Sequence, residues 1–224
     1  MIDFNDINTY DYVLDESLIA QFPLPERTSS RLMRIDRHSG QISHHIFSEI
    51  AEMLRPTDVL VVNSSQVFPA RLYGCKDNGT KVEVFLLHHL EADTWQCMVH
   101  PGKRLREEQI LKFSEQLTGW IGLPDEEGFR HISFSCETDF WTEIYRIGHI
   151  PLPPYIDRQD TQSDSQTYQT VYANERGSVA APTAGLHFSR ELMDKLRAKG
   201  IRIAEVALHV GIGTFRPVKT DKIS

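Results

Sequence analysis

The sequence predicts a mixed α/β protein with a second region of short antiparallel strands. A hydrophobic run at residues 58–63 is typical of a buried strand, and a capped amphipathic helix follows residue 189. Between them, residues 66–148 consist of short segments of alternating apolar and polar residues, separated by turns. We therefore expect residues 1–65 and 149–224 to form one discontinuous α/β domain, and residues 66–148 to form an inserted or second domain.

The first part of the chain contains signals for helices, a hairpin and a strand. The four consecutive apolar residues of the strand at 58–63 predict burial on both faces. The predicted elements are a short helix capped by Asp15 and ended by Pro23, a hairpin of 31–35 with 42–47, a helix over 48–54, and the strand 58–63.

The middle part predicts a small antiparallel barrel or a sandwich, because turn signals recur about every dozen residues. A helix capped by Asp139 follows these segments and carries an apolar stripe ending at Gly148. The candidate strands are 70–73, 81–88, 94–99, 109–113 and 130–135.

The last part returns to α/β texture. The proline-dense run 150–156 predicts extended chain, and the polar run 157–169 predicts a mobile loop. Ser189 is a good cap for a helix that stops at Gly200, and residues 201–210 predict a strand.

Composition excludes several classes of protein. The chain has 224 residues, of which 40% are apolar, and carries a net charge of -7. It contains no run of about 18 apolar residues and opens on acidic residues, so we predict neither a membrane span nor a secretory signal. Three cysteines fit neither a disulfide framework nor a two-plus-two zinc site, which favours a reducing cytoplasm.

The charge is unevenly distributed. Residues 1–175 carry a balance of -12, whereas residues 176–224 carry +5. Two interpretations remain open, a solvated surface rich in Lys and Arg, or a region that faces a polyanion.

The densest functional signal is the run of small and polar residues at 177–189. Small residues let a ligand approach the backbone, and the helix that follows offers free N–H groups. His187 lies at the mouth of this helix, where its side chain is either a functional group or a core histidine in a tight turn.

A second signal is the loop that opens at His209. His209 ends a predicted strand and is followed by Gly211-Ile212-Gly213, and ligands of α/β sheets favour the carboxyl ends of strands. The Gly-x-Gly pattern alone is a weak nucleotide signal, because the third glycine is absent.

Cationic residues are candidates for phosphate contacts. Arg71, and Lys103 with Arg104 in the turn at 100–106, could meet a nucleic-acid backbone or simply face solvent. Adjacent histidine pairs point to opposite faces of a strand, so the sequence predicts no metal site.

Seven ordered motifs resemble those of the S-adenosylmethionine:tRNA ribosyltransferase-isomerase family. They are Leu18-Ile19-Ala20-Gln21 with Pro23 and Ser30-Arg31-Leu32, Asn63 with Pro69-Ala70-Arg71-Leu72, Pro101-Gly102-Lys103-Arg104-Leu105, Pro151-Leu152-Pro153-Pro154-Tyr155-Ile156, Tyr168-Gln169-Thr170-Val171-Tyr172-Ala173, the run Ala180 to Phe188, and Leu208-His209-Val210-Gly211 with Gly213-Thr214-Phe215.

The resemblance implies an α/β domain with an inserted β-barrel and an enzyme of queuosine biosynthesis. Its reaction moves the ribosyl part of S-adenosylmethionine, used as a substrate, onto 7-aminomethyl-7-deazaguanine at the wobble position of a tRNA with a GUN anticodon. The products are epoxyqueuosine, adenine and methionine. A cytoplasmic monomer that needs no metal and no membrane is expected.

On this resemblance, the turn at 183–188 and the loop at 209–215 are expected to form part of the S-adenosylmethionine site. His187 and His209 are the candidates for proton transfer or sugar contacts. Arg71, Lys103 and Arg104 are expected to contact tRNA. The remaining candidate substrate-binding residues are Thr183, Ala184, Gly185, Leu186, Phe188, Gly211, Gly213, Thr214 and Phe215.

The sequence departs from the family pattern in three ways. Ser64-Ser65-Gln66 follow Asn63 where Asp-Thr-Arg is usual, and Thr167 stands where Arg is usual. The family motifs that follow residue 224 are absent, so a C-terminal third is expected to be missing and this form to be inactive or nearly so. The alternative function is therefore an inactive remnant or an RNA-binding module.

Overall fold

The computed structural model describes residues 3–102, 105–215 and 220–223 and contains strands, short helices and a closed barrel. Its α-helices are α1 (Ile50–Met53), α2 (Phe140–Ile147), α3 (Asp164–Thr167) and α4 (Arg190–Ala198). Its strands are β1 (Arg31–Ile35), β2 (Ile42–Ile46), β3 (Val59–Asn63), β4 (Ser65–Val67), β5 (Arg71–Cys75), β6 (Lys81–Glu91), β7 (Thr94–His100), β8 (Ile110–Lys112), β9 (Leu117–Pro124), β10 (Arg130–Cys136), β11 (Glu175–Ser178) and β12 (Arg202–Val206).

Six antiparallel strands close into a barrel in the order β10-β7-β6-β5-β8-β9. Closure pairs every strand edge, so no strand of the barrel is left open. Alternate residues point inward, and Leu72, Val84, Leu111 and Ile132 are fully buried there. The fold is thus a mixed α/β protein containing a small antiparallel barrel, as predicted.

The chain enters and leaves the barrel at the same place. Arg71 N–H donates to the His149 carbonyl at 3.2 Å, and His149 N–H donates back to the Arg71 carbonyl at 2.8 Å. We call this reciprocal pair the neck of the barrel. The barrel strands all lie within the predicted segment 66–148.

The remaining strands form three two-stranded sheets. The hairpin β1–β2 is antiparallel, as predicted, whereas β3 pairs with β12 and β4 with β11 in parallel. The two parallel pairs join residues 59–67 to residues 175–206, which lie on opposite sides of the barrel in sequence.

Helix α4 covers one face of the β3–β12 pair. Ser189 accepts a hydrogen bond from Leu192 N–H at 3.1 Å and thereby caps the helix as predicted. Leu192 and Leu196 pack against Val62 and Ala51 in a buried cluster, and burial of this apolar stripe is the main source of helix stability.

Strand β3 corrects a prediction, because it is buried on one face only. Val62 is 4% exposed, but Val59 and Val61 on the other face are 43% and 60% exposed. The strand pairs with β12 alone, and α4 packs on one side. Four consecutive apolar residues therefore did not indicate burial on both faces here.

Three further predictions need correction in extent. The helix after Asp15 is a 3-10 helix at Glu16–Leu18, and the strand predicted over 201–210 spans only Arg202–Val206. The segment 157–169, predicted as a loop, contains α3 and a buried ion pair. Strand β9 was missed altogether.

Among the described residues, no helix combines the length and apolar character needed to cross a membrane.

Candidate functional site

Four separate segments of the chain converge on a cavity of about 550 Å3, which we call the His187 pocket. The segments are residues 20–31, 152–158, 164–168 and 183–187. Each contains residues of a motif or proline-dense run distinguished in the sequence. The volume is within the range of about 300–1,000 Å3 that is typical of small-molecule sites.

One wall of the His187 pocket is held by a buried ion pair. Arg158 donates from Nη1 and Nη2 to the two carboxylate oxygens of Asp164 at 2.7 and 2.8 Å. The Arg158 guanidinium holds the pKa of Asp164 at about 2, well below its usual value. The same guanidinium lies 4.5 Å from the ring centroid of Phe22, so the wall is fixed by charge and by stacking.

Arg27 ties three segments together at the floor of the pocket. Its guanidinium donates to the carbonyl oxygens of Gln166, Gln169 and Leu186 at 2.7, 2.7 and 3.1 Å. Burial lowers the pKa of Arg27, but these carbonyl groups satisfy its donors. The residue therefore positions the turn that carries His187.

His187 is a titratable group of the His187 pocket whose surroundings favour the neutral ring. It ends a 3-10 helix at Thr183–His187, and its ring centroid lies 5.2 Å from that of Phe47. Burial and, to a lesser degree, the nearby charge of Arg27 lower the pKa of His187, which favours the neutral imidazole near pH 7. Among the described residues its ring nitrogens have no hydrogen-bond partner, so a nitrogen is free to accept a proton.

The candidate residues around His187 fall into two groups. Thr183 and Leu186 line the pocket, whereas Gly185 and Phe188 are buried behind it. Phe188 packs edge-on against Phe47 at 5.0 Å, which gives it a packing role. Ala184 is exposed and does not line the cavity.

His209 lies in a different cavity of about 390 Å3, the His209 pocket, between the barrel and β11. The structure therefore places the two predicted segments on two pockets and does not bring both histidines into one. The side chain of His209 is held by Ser65, whose Oγ is 2.9 Å from Nδ1.

The residues after His209 differ in surroundings. Gly213 and Thr214 are exposed, and the Phe215 ring is perpendicular to that of Phe85 at 6.1 Å. Phe215 thus packs against the barrel core. Gly211 lies beside His88, because a Cβ built on it would be 3.9 Å from His88 Cε1.

The candidate tRNA contacts are only partly described. Arg71 Nε lies 3.1 Å from Glu83 Oε1, so its charge is already balanced within the barrel. Lys103 and Arg104 lie outside the described residues. Within the described ranges, no group of three or more metal-ligating side chains is found.

Sequence reasoning missed several residues that build the pockets. Arg27 and Arg176 carry no spacing signal, because their partners are distant in sequence. Arg158 and Asp164 lie six residues apart in the segment 157–169, which was predicted as a loop, so their pairing was not recognised. The extended motifs around them were recognised, and those motifs supply the walls. Tyr168, from one such motif, also lines the His187 pocket, and burial raises its pKa to about 12.

Comparison with known proteins shows a matching family model and similarity to a solved structure. A family model described as queuosine biosynthesis protein matches residues 7–224. The chain is 34% identical to the S-adenosylmethionine tRNA ribosyltransferase of Thermotoga maritima, over 90% of this chain and 58% of that one. The TM-score of 0.36 is too low for the superposition to support an argument. The chain thus spans less than two thirds of the length of this relative.

Proposed function

Because the chain belongs to the queuosine biosynthesis protein family, we propose that it acts as an S-adenosylmethionine:tRNA ribosyltransferase-isomerase. The acceptor is 7-aminomethyl-7-deazaguanine at the wobble position of a tRNA with a GUN anticodon. The product is epoxyqueuosine, formed in the cytoplasm by a monomer. The name of the Thermotoga maritima relative supports the donor and the RNA substrate.

The observation that carries the proposal is the convergence of four segments on a pocket with a neutral, unpartnered His187. S-Adenosylmethionine occupies this pocket, between the turn at 183–187 and the wall of Arg158 and Phe22. The apolar lining accepts the adenine ring, and the polar groups of Thr183 and Tyr168 are available to the sugar.

The chemistry requires one base and tight positioning. The sulfonium acidifies the 5′-carbon of the ribosyl group, and neutral His187 takes a proton from it. Adenine then departs, the amine of the modified base bonds to the sugar, and ring closure releases methionine. The role of the loop 209–215 in donor binding stays a prediction.

Binding of labelled S-adenosylmethionine in equilibrium dialysis tests the location of the site. Leu186→Trp fills the cavity and is expected to weaken binding at least tenfold, whereas Leu123→Trp, on the exposed outer face of β9, binds as the parent does. Unchanged binding by Leu186→Trp places the donor elsewhere.

Release of adenine in the presence of substrate tRNA tests the reaction. His187→Ala is expected to lower the rate about 100-fold or more, the usual contribution of a general base. An unchanged rate contradicts the role of His187.

The alternative function is an RNA-binding remnant without catalysis. The observation that favours it is Thr167, which lines the His187 pocket at a position where the family resemblance implies Arg. A chain that binds tRNA and S-adenosylmethionine but releases no adenine supports this alternative.

A further inference from the structure

The His209 pocket has an aromatic wall. Phe140 and Trp141 are its partly exposed rings. Phe68 and Trp95, 1% and 6% exposed, are covered by their neighbours and support them, with the rings of Trp95 and Phe140 stacked at 5.9 Å and 25° between their planes. Trp141 meets Trp95 edge-on at 5.7 Å. Rings that lock one another in this way form a rigid, preformed surface.

A cation is stacked at the same pocket. The Arg176 guanidinium lies 4.1 Å from the ring centroid of Trp141 and 5.4 Å from that of Tyr145. Arg176 is exposed, and within the described residues no carboxylate lies within ion-pair distance of it, although its charge reaches Asp139. Its donors are therefore available to a ligand, while stacking restricts its orientation.

Two fully buried serines determine which ring nitrogen of His209 accepts a hydrogen bond. Ser178 Oγ accepts from Val210 N–H at 2.8 Å and lies 2.5 Å from Ser65 Oγ, which in turn lies 2.9 Å from His209 Nδ1. Both serines are 0% exposed. Each buried hydroxyl needs an acceptor for its single proton.

Only one direction of this chain satisfies both hydroxyls with the described partners. Ser178 donates to Ser65, and Ser65 donates to His209 Nδ1. In the reverse direction the Ser178 hydroxyl has no acceptor among the described residues. Nδ1 is consequently the acceptor, and the imidazole proton resides on Nε2.

Gly177 makes room for this arrangement. A Cβ built on Gly177 would lie 2.5 Å from His209 Nδ1 and 2.7 Å from Nε2. The ring thus stands against bare backbone and can occupy its position at the pocket only because residue 177 has no side chain.

We propose that the His209 pocket binds a nucleobase of the RNA substrate, with the His209 Nε2–H as a fixed hydrogen-bond donor. Aromatic faces and an Arg plane are the groups on which unstacked bases of RNA are held. Asp93, which also lines the pocket, supplies an acceptor for the donors of a base edge. His209 is in this view a positioning residue, and the proposed function is needed only to name tRNA as the source of the base.

Tryptophan fluorescence measures this binding directly. Trp95 and Trp141 line the pocket, whereas Trp120 is 51% exposed on the barrel, so Trp120→Phe removes the unrelated signal. Guanosine 5′-monophosphate and an anticodon stem–loop RNA are titrated into this variant in parallel. Saturable quenching by both is expected. Quenching by the mononucleotide alone overturns the RNA source, and quenching by neither overturns the site.

Substitutions at His209 test the donor. His209→Ala is expected to weaken binding by about fivefold to tenfold, the loss of one hydrogen bond. His209→Gln, which retains an N–H near the position of Nε2, is expected to restore most of it. His38→Ala, in the exposed β1–β2 turn, is the matched control and leaves binding unchanged. Equal loss in the Ala and Gln variants contradicts a donor role.

The tautomer is observed in the parent protein, and a variant serves only to assign the signal. A long-range 1H–15N spectrum of the histidine rings, with His209 assigned by its absence in His209→Gln, is expected to show an unprotonated Nδ1 and a protonated Nε2. A protonated Nδ1 overturns the serine chain. Dialysis of S-adenosylmethionine against the same samples reports the other pocket, so failure here and failure of the proposed function are distinguishable.

Discussion

The ion pair between Arg158 and Asp164 illustrates how one charge can hold a wall of the His187 pocket. Asp164 is 3% exposed, and besides Arg158 it accepts from Thr161 N–H at 2.7 Å. A buried carboxylate is tolerated only with such a complete set of donors. The pair therefore couples folding of α3 to the shape of the cavity.

Asp164→Asn is expected to destabilise the protein by about 2 kcal/mol at pH 7, measured by urea unfolding. The estimate follows from the fall of the Asp164 pKa from 3.8 to about 2 on folding. Since the folded pKa is depressed, the stabilisation exists above pH 3.8 and is lost as pH falls towards 2. The difference between parent and variant is expected to shrink over that interval.

Asp194→Asn is the matched control for this prediction. Asp194 pairs with Arg197 at 2.9 Å, but its side chain is 74% exposed, so solvent screens the pair. We expect a change within about 0.5 kcal/mol at every pH. Equal effects of the two variants would show that burial of Asp164 contributes nothing.

His187 is expected to titrate below its usual value of 6.5 in the folded protein. Burial, followed by the charge of Arg27, disfavours the imidazolium, so the unfolded chain binds a proton at a higher pH than the folded chain does. Stability is accordingly lost as pH falls from 6.5 through the folded pKa. Proton NMR titration of the His187 ring, with and without urea, measures both values, and coincident midpoints would contradict the prediction.

Strand β9 shows at the element scale why a glycine is needed in a strand. A Cβ on Gly119 would lie 2.9 Å from Ile132 Cγ2 and 3.2 Å from Phe113 Cε2. Gly119→Ala is therefore expected to cost about 1–3 kcal/mol in thermal or urea unfolding. Gly102→Ala, where a Cβ meets no atom within 4 Å, should be near neutral. An equal cost at both positions would refute the packing argument.

Local sequence signals determined which elements could be predicted from the sequence. The hairpin β1–β2, five barrel strands and the capped helices α2 and α4 follow from alternation, turn residues and caps, which are local signals. Strand β9 was missed because Gly119 and Gly122 weaken the alternating pattern of its residues. These positions require glycine because a Cβ there would collide with residues of β10, which the local sequence does not show. Burial of β3 likewise depends on what packs on each face, which no local run can specify.

The candidate sites follow the same rule. The tight turn that carries His187 was predictable because small residues before a helix cap form a local pattern, whereas the role of His187 stays a prediction. The separation of His187 from His209 into two pockets depends on the path of the whole chain. The hydrogen bond between Ser65 and Ser178 at the His209 pocket could not be predicted, because the two residues are far apart in the sequence.

At the scale of the whole molecule, the proposed tRNA substrate, taken with the balance of -12 in residues 1–175 against +5 in residues 176–224, leads us to expect the RNA contacts in the basic region 176–224. The logarithm of the tRNA binding constant is expected to fall linearly with that of salt concentration. Arg190→Gln, at the exposed first residue of α4 in this basic region, should reduce this slope by about one unit. Filter binding across salt concentrations measures it.

Arg71→Gln is the control for the salt titration. Arg71 is already paired with Glu83, so few counterions are released at this side chain when tRNA binds. The salt dependence of tRNA binding by Arg71→Gln should therefore have the same slope as that of the parent. A larger change for Arg71 than for Arg190 would assign the footprint to the barrel.

The neck formed by Arg71 and His149 has a consequence for how such a molecule can change over generations. The chain segments that enter and leave the barrel are joined there by reciprocal hydrogen bonds. The barrel is therefore inserted between two points of the remaining chain that are adjacent in space. Duplication, loss or exchange of the barrel alters one short junction and leaves the parallel pairs β3–β12 and β4–β11 connected as before. The architecture thus allows its two parts to diversify at different rates while sharing a single gene.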